Sequence, residues 1–427
     1  MAEERIIIVG GGFGGIAAAK SLQDSDFDIL LIDRENHHLF QPLLYQVATA
    51  ALSPGDIATP IRGIFKENSN VRVLMADVDA VDKENDQLIL KDGRKLDFDQ
   101  LVLAPGARYN YFGNPQWEHH APGLKSIGDA LDVRERILIS LEEAEQITDP
   151  EERAPYLTYV VIGGGPTGVE MAGAIAEIAK RNMMRDFRRI DPAETRVILI
   201  EAMDQILNAY PRDLAEKARK DLENMGVEVR LNSMVTNVRP DGVMVNDQFL
   251  ATPNIVWAAG VSASPMLESL GVESDKAGRI KVEPDNSIPG KPNIFVIGDA
   301  CYLEDDAGNP LPALAPVALQ QGRHVAKLLK HGYPKPQRPP FKYVDKGSMA
   351  TIGRAKAVAD IKGLKVTGLL AWLLWSLVHI FFLIGFRNRF RVMAEWFWHY
   401  ITFKRGVRLI TGRISSDEAE RKRDVIE

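Results

Sequence analysis

Two stretches of this chain share one pattern. Residues 5–15 read RIIIVGGGFGG and residues 159–168 read YVVIGGGPTG, each a run of apolar, mostly β-branched residues leading into clustered glycines. Alanine-rich sequence of helical character follows both, over 16–22 and 169–179. Apolar runs without polar alternation mark strands buried on both faces of a parallel sheet. Each copy is then followed by a short apolar run ending in an acid, DILLID at 28–33 and RVILIE at 196–201. The runs LVLAPG at 101–106, the stretch 251–260 closing on WAAG, and NIFVIGDA at 293–300 read as strands ending in turns of small residues. Residues 130–145 read as a helix, and the proline-rich basic stretch 335–340 as a linker or surface loop. Two strand–glycine–helix units about 150 residues apart predict an α/β fold with two Rossmann-like dinucleotide-binding domains.

The C-terminal part differs in kind. Residues 364–386 are strongly apolar, interrupted by Lys365, Ser376, His379 and Gly385. A membrane span needs roughly 20 predominantly apolar residues, so the stretch predicts a buried or interfacial helix rather than a span. Residues 388–409 interleave Phe390, Trp396, Phe397, Trp398, Tyr400 and Phe403 with Arg389, Arg391, Lys404, Arg405 and Arg408, opposed only by Glu395; Arg387 precedes them. Basic residues beside aromatics suit a helix lying among anionic lipid headgroups. The same aromatics could instead pack a homodimer. The charged tail after Ser415 predicts fraying.

Gly10, Gly12 and Gly15, and again Gly163, Gly165 and Gly168, fit the G-x-G-x-x-G fingerprint. The first glycine permits the tight turn, the second lets backbone approach a pyrophosphate, and the third lets helix pack on strand. The helix N-terminus then offers free N–H groups to the phosphates. Asp33 follows Gly15 at the spacing of a ribose-binding acid, while a basic insertion, 181–196, delays Glu201. A glutamate accepts from a ribose 2′-hydroxyl and repels a 2′-phosphate, and no arginine follows Glu201, which favours NADH over NADPH.

Composition narrows the chemistry. The 427 residues, 45% apolar and 26% charged, suffice for two or three domains, and a net charge of −6 argues against nucleic-acid binding. One cysteine, Cys301, excludes an intramolecular disulfide, a dithiol centre and an iron–sulfur set within the chain. No metal site is expected. The N-terminus lacks a secretory pattern, which points to the cytoplasm.

GGGFGG, the segment DRENHHLFQPLLYQVA from Asp33, LVLAPGA, VVIGGGPTGVEMAGAIAE, NIFVIGDA and KGSMATIG together resemble the two-dinucleotide-binding flavoproteins. Within these the chain is similar to the type II NADH dehydrogenases, single-subunit NADH:quinone oxidoreductases. The resemblance implies a glutathione-reductase-like pair of domains, with FAD held non-covalently in residues 1–120 and 291–350. NADH would bind in 121–290, and 351–427 would form an amphipathic membrane-binding region. It implies hydride transfer from NADH to FAD N5 and then two-electron reduction of a membrane quinone, without proton pumping, by a peripheral enzyme on the cytoplasmic side of the cell membrane.

Residue by residue, the first loop with Phe13, Gly14, Asp33 and Arg34 would hold the FAD pyrophosphate and ribose. Gln41, Pro42, Leu43, Val78, Ala104, Gly106, Gly298 and Ala315 would lie along the flavin, with Asp299 on its ribityl chain. Gly163, Gly165, Pro166, Thr167, Gly168 and Glu201 would receive NADH, Ala259 and Gly260 would border its nicotinamide, and Glu170 would act between nicotinamide and flavin. Gln320, Lys346 and His379 would meet the quinone. There the pattern departs from the family: Pro316 replaces the first glutamine of Ala-Gln-x-Ala-x-Gln and has no amide to offer. Disulfide and sulfide:quinone reductases share the fold but need paired cysteines. A soluble ferredoxin-type reductase is the rival reading, marked by the lack of a lipid-binding tail.

Overall fold

The computed structural model describes residues 4–178, 187–384, 386–402 and 409–410, without the side chains of 386, 387 and 397–402. Part of the basic insertion (181–186), Gly385, the side chains of Arg387, Phe397, Trp398 and Tyr400, the residues Phe403, Lys404, Arg405 and Arg408, and the tail after Ser415 thus lie outside the described residues. The chain forms two compact units.

The first unit comprises Met1–Phe40, Ala58–Asn110 and Gly260–Lys346. Strand β1 (Arg5–Val9) lies at the centre of a six-stranded sheet, flanked in parallel by β2 (Asp28–Asp33), itself paired to β3 (Val71–Met75), and by β4 (Gln100–Leu103). Ile6, Ile7 and Ile8 are wholly buried, as their unalternated pattern predicts. Helix α1 (Phe13–Leu22) leaves β1 through the first glycine loop.

The second unit takes Gln41–Ile57, Tyr111–Ala259 and Gly347–Glu427. Helix α2 (Leu44–Ala48) is buried along its length. Helix α3 (Ile127–Gln146) starts at a capping box in which the Asp129 N–H donates to Ser126 Oγ and the Ser126 N–H to the Asp129 carboxylate. Strand β5 (Thr158–Ile162), helix α4 (Pro166–Glu177), strand β6 (Arg196–Ile200), helix α5 (Arg212–Asn224), strand β7 (Val227–Arg230) and strand β8 (Asn254–Trp257) complete a parallel sheet ordered β7-β6-β5-β8. The chain then returns to the first unit. Strand β9 (Lys291–Val296) pairs in parallel with β4, and helix α6 (Ala315–His331) packs on α1 so closely that a Cβ on Gly322 would stand 2.3 Å from the Gly14 carbonyl oxygen.

The units divide the chain differently from the predicted boundaries. Residues 260–290 join the first unit, where Val261–Ala263 pairs with Ala107–Tyr109 and Ile280–Lys281 with Cys301–Tyr302. The last segment is not a separate appendage. Strands β10 (Ser348–Gly353), β11 (Lys356–Ile361) and β12 (Leu364–Thr367) form an antiparallel sheet against α4, where a Cβ on Gly173 would fall 1.7 Å from the Ile352 carbonyl oxygen. The expected helix over 364–386 therefore begins as a strand. Lys362 (φ +54°) and Gly363 (φ +87°) form a two-residue hairpin turn that apolar periodicity does not reveal.

Helix α7 (Gly368–Phe382) turns Ala371, Trp375 and Ser376 inward and leaves Leu369, Leu370, Leu373, Leu377 and Phe381 between 51% and 68% exposed. Helix α8 (Phe386–Thr402) is tied to the body of its unit by Trp396 Nε1, which donates to Gln46 Oε1 at 2.8 Å, and by Arg391, 3.4 Å from the buried Asp56. Among the described residues no helix is long and apolar enough to cross a membrane.

Candidate functional site: two glycine loops and their acids

The sequence duplication extends to individual hydrogen bonds. Gly10 (φ +103°) and Gly163 (φ +106°) make the tight turns, and Cβ atoms there would collide with the backbone of Ala104 in one unit and of Ala258 and Ala259 in the other. Ala104 and Ala259, both expected at the cofactors, thus abut the first glycine of their loops. On Gly15 and Gly168 a Cβ would lie 1.8 Å from the carbonyl oxygens of Gly10 and Gly163, so only glycine lets these helices sit on their strands. Gly12 and Gly165 behave oppositely: a Cβ on either would meet nothing within 4 Å. Those two faces are open, bordered by the unpaired amides of a helix start, and fit a pyrophosphate.

The acids do more than end their strands. Asp33 Oδ2 accepts the Gly11 N–H at 2.5 Å and Oδ1 accepts the Glu35 N–H at 2.7 Å. Glu201 Oε2 accepts the Gly164 N–H at 2.6 Å and Oε1 the Met203 N–H at 2.9 Å. Each carboxylate braces its phosphate loop, and each oxygen keeps a further lone pair for a ribose hydroxyl. Arg34, beside Asp33, is exposed.

Phe13 meets His38 edge-on at 5.3 Å, and His38 Nδ1 donates to the Gly11 carbonyl at 2.8 Å. Burial lowers the His38 pKa, so the ring stays neutral and serves as a brace. Gln41, Pro42 and Leu43 form a 3₁₀ turn before α2, with Gln41 Nε2 donating to the Lys125 carbonyl at 3.1 Å. Val78 opens the strand Val78–Asp82, Gly106 (φ +70°) ends the turn after β4, and Gly260 (φ +66°) occupies the matching place after β8. Gly298 (φ +70°) starts the turn that carries Asp299, half-buried and with no protein partner for its carboxylate among the described residues.

Glu170, in the second turn of α4, is the most perturbed of the expected residues. Burial pushes its pKa up to about 8 against the opposing pull of the Thr351 N–H. It therefore holds a proton at neutral pH; burial, helped at higher pH by the ionised Glu170 carboxylate, raises the pKa of the neighbouring Tyr210.

The three residues expected at a quinone are differently engaged. Gln320 holds the backbone of Val344 at both ends of its amide: Nε2 donates to the carbonyl at 3.0 Å and Oε1 accepts the N–H at 2.9 Å. This clamp fixes the chain two residues before Lys346, which is exposed. His379 Nδ1 donates to the Trp375 carbonyl at 2.7 Å, its ring lies 4.1 Å from that of Trp375, and burial lowers its pKa to about 4. Ala315 and Pro316 open α6, and a proline in a first turn loses no intrahelical bond.

Sequence reasoning passed over Gln321, which is buried, accepts the Gly298 N–H at 2.7 Å through Oε1 and donates to Cys301 Sγ through Nε2. The signal was the i, i+4 series Val317, Gln321, Val325 on the buried face of α6. It also passed over His38 and Gln46. Burial raises the Cys301 pKa to about 12, so its thiol stays protonated.

Residues 4–322 match the pyridine nucleotide-disulphide oxidoreductase family and residues 346–405 the NDH2 C-terminal domain. The chain is 43% identical to the type II NADH:quinone oxidoreductase Ndh of Mycobacterium tuberculosis, over 95% of this chain and 90% of that protein. It is 29% identical to the type II NADH:quinone oxidoreductase of Staphylococcus haemolyticus, over 86% and 92%. Among solved structures, NDH2 of Plasmodium falciparum in complex with NADH superposes with a TM-score of 0.86 at 22% identity, covering 95% of this chain and 99% of that one.

Proposed function

The chain belongs to the pyridine nucleotide-disulphide oxidoreductases and, within them, to the type II NADH:quinone oxidoreductases, and from that membership we infer which of its residues carry the reaction. It oxidises NADH and reduces quinone with FAD as its cofactor. When bound, the flavin supplies the step between them, accepting a hydride and releasing two electrons. The observation that carries the residue assignment is the duplicated brace, Asp33 on Gly11 and Glu201 on Gly164, beside two open glycine faces.

On this reading the first loop, Asp33, Ala104, Gly106 and Asp299 bind FAD non-covalently. The second loop, Glu201 and Ala259 bind NADH, and the Glu201 charge disfavours NADPH. Glu170 keeps a proton near the reacting groups at neutral pH, available to a quinone that gains two electrons and two protons. Lys346 is the basic contact for the quinone, and Gln320 positions it by fixing Val344.

The exposed leucines of α7 and the basic aromatic sequence beside them support a peripheral enzyme whose C-terminal helices lie on anionic lipid, on the cytoplasmic side where NADH is supplied. A homodimer packed through the same aromatics would compete with that surface.

The test is NADH oxidation by a short-chain quinone analogue, compared with NADPH, for the full chain and a chain ending near Gly385. NADH-specific turnover, with liposome binding lost on truncation, supports the reading. Flavin reduction without quinone turnover overturns the quinone assignment, and liposome binding retained by the truncated chain overturns the assignment of the basic aromatic segment after Gly385 to lipid.

A further inference from the structure

Exposed methionines lie beside Glu201, the acid of the second glycine loop. After Glu201 the chain turns back, and the Met203 N–H donates to Glu201 Oε1. The segment following β7 runs alongside: the Asn232 N–H donates to the Met203 carbonyl at 2.9 Å and the Ser233 N–H to the Glu201 backbone carbonyl at 3.0 Å. Met234 is pinned in turn by Asn246, whose Oδ1 accepts its N–H at 3.0 Å and whose own N–H donates to the Met234 carbonyl at 2.8 Å. Both methionine backbones are fixed, yet their side chains stand 56% and 61% exposed. The first unit repeats the arrangement. There the Ala76 N–H donates to the Asp33 backbone carbonyl at 2.9 Å, and the preceding Met75 is 60% exposed.

Large apolar side chains held in water on anchored backbone beside a ligand-binding acid suit a surface that a ligand covers. The chemistry of the dinucleotide says which part. If Glu201 receives the 2′-hydroxyl of the adenosine ribose, the base is attached to the adjacent ribose carbon and lies next to the residues that flank Glu201. Adenine presents a flat, polarisable face, and thioethers make favourable contacts with aromatic rings while adapting their shape.

We propose that Met203 and Met234 form the slot that receives the adenine ring of NADH. The assignment rests on the second loop being the NADH site. Grip on adenine at this slot holds the dinucleotide by its far end and takes no part in the transfer of hydride.

The test compares NADH with reduced nicotinamide mononucleotide, which lacks the adenosine half, in the flavin-loaded full chain. Met203→Ala and Met234→Ala should each raise the KM for NADH about three- to tenfold with kcat held within about twofold. The mononucleotide kinetics should stay unchanged, and inhibition by ADP-ribose should weaken in parallel. Met203→Leu, which keeps apolar bulk, should recover most of the loss. An NADH KM unchanged in both alanine variants overturns the proposal, and so does an equal loss with both substrates, which marks a structural defect. Wild-type protein that uses the mononucleotide as efficiently as NADH overturns instead the reading of the second loop as an NADH site.

Discussion

Glu170→Gln tests the enclosed carboxyl on which the proton assignment depends. The Glu170 pKa is about 8 in the folded chain, against an ordinary 4.5. A carboxyl with that value is about 90% protonated at pH 7. Because the folded value is raised, the native state keeps a proton that the unfolded chain releases above about pH 4.5. Stability from this group is therefore full at low pH and is lost as pH rises towards 8, levelling above it. Between pH 6 and 9 the loss runs over about two pH units, at about 1.4 kcal/mol each, or about 2–3 kcal/mol in all. Glutamine is neutral throughout and escapes it. Urea unfolding of the flavin-loaded protein at pH 6 and 9 should show the wild type losing about 2–3 kcal/mol more than the variant. The pH profile of quinone reduction should likewise lose a limb centred near pH 8 in the variant. Equal pH slopes for the two proteins, or a surviving limb near pH 8 in Glu170→Gln, would refute the argument.

Three further outcomes follow from the packing and charge of the same regions. Gly173→Ala places a Cβ 1.7 Å from the Ile352 carbonyl oxygen, so α4 must withdraw from β10. We expect a cost of about 1–3 kcal/mol or more, read as a lower thermal midpoint and a raised KM for NADH. Glu201→Gln keeps one acceptor for Gly164 but removes the charge, and should raise the NADPH-to-NADH ratio of kcat/KM by about fivefold, the equivalent of ~1 kcal/mol at an exposed site. Leu373→Asp with Leu377→Asp puts charge on the exposed face of α7. It should abolish co-sedimentation with anionic vesicles while turnover of a soluble quinone analogue persists; unaltered vesicle binding would exclude that face from the lipid contact.

What could be read from the sequence was whatever rests on local spacing. RIIIVGGGFGG and YVVIGGGPTG declare strand, turn and helix because the glycines answer to contacts a few residues away, and Asp33 and Glu201 end the next strands. The brace those acids make was invisible, since it depends on the side chain curling back onto Gly11 and Gly164. Residues 260–290 fall in the first compact unit, which the sequence pattern could not show, because their partners, Ala107–Tyr109 and Cys301–Tyr302, are set by tertiary pairing that apolar periodicity does not encode. Over 364–367 strand and helix share one composition, and only the Lys362–Gly363 turn decides between them. Gln320 and Gln321 show how adjacent identical residues diverge: one step along a helix moves a side chain about 100° and exchanges a surface clamp for a buried one.

The order in which the sheets close has a consequence for synthesis. The strands of the second sheet all fall within residues 158–257 and emerge from the ribosome together. The first sheet, although it begins at residue 5, waits for β9 to reach β4, Val296 lying 193 positions after its partner Leu103. At roughly 5–20 residues per second that is a delay of about 10–40 s, during which one edge of β4 is unpaired. The nascent chain should thus acquire its second nucleotide fold before its first. Chaperone occupancy on translating ribosomes should fall only after about residue 300 has cleared the exit tunnel.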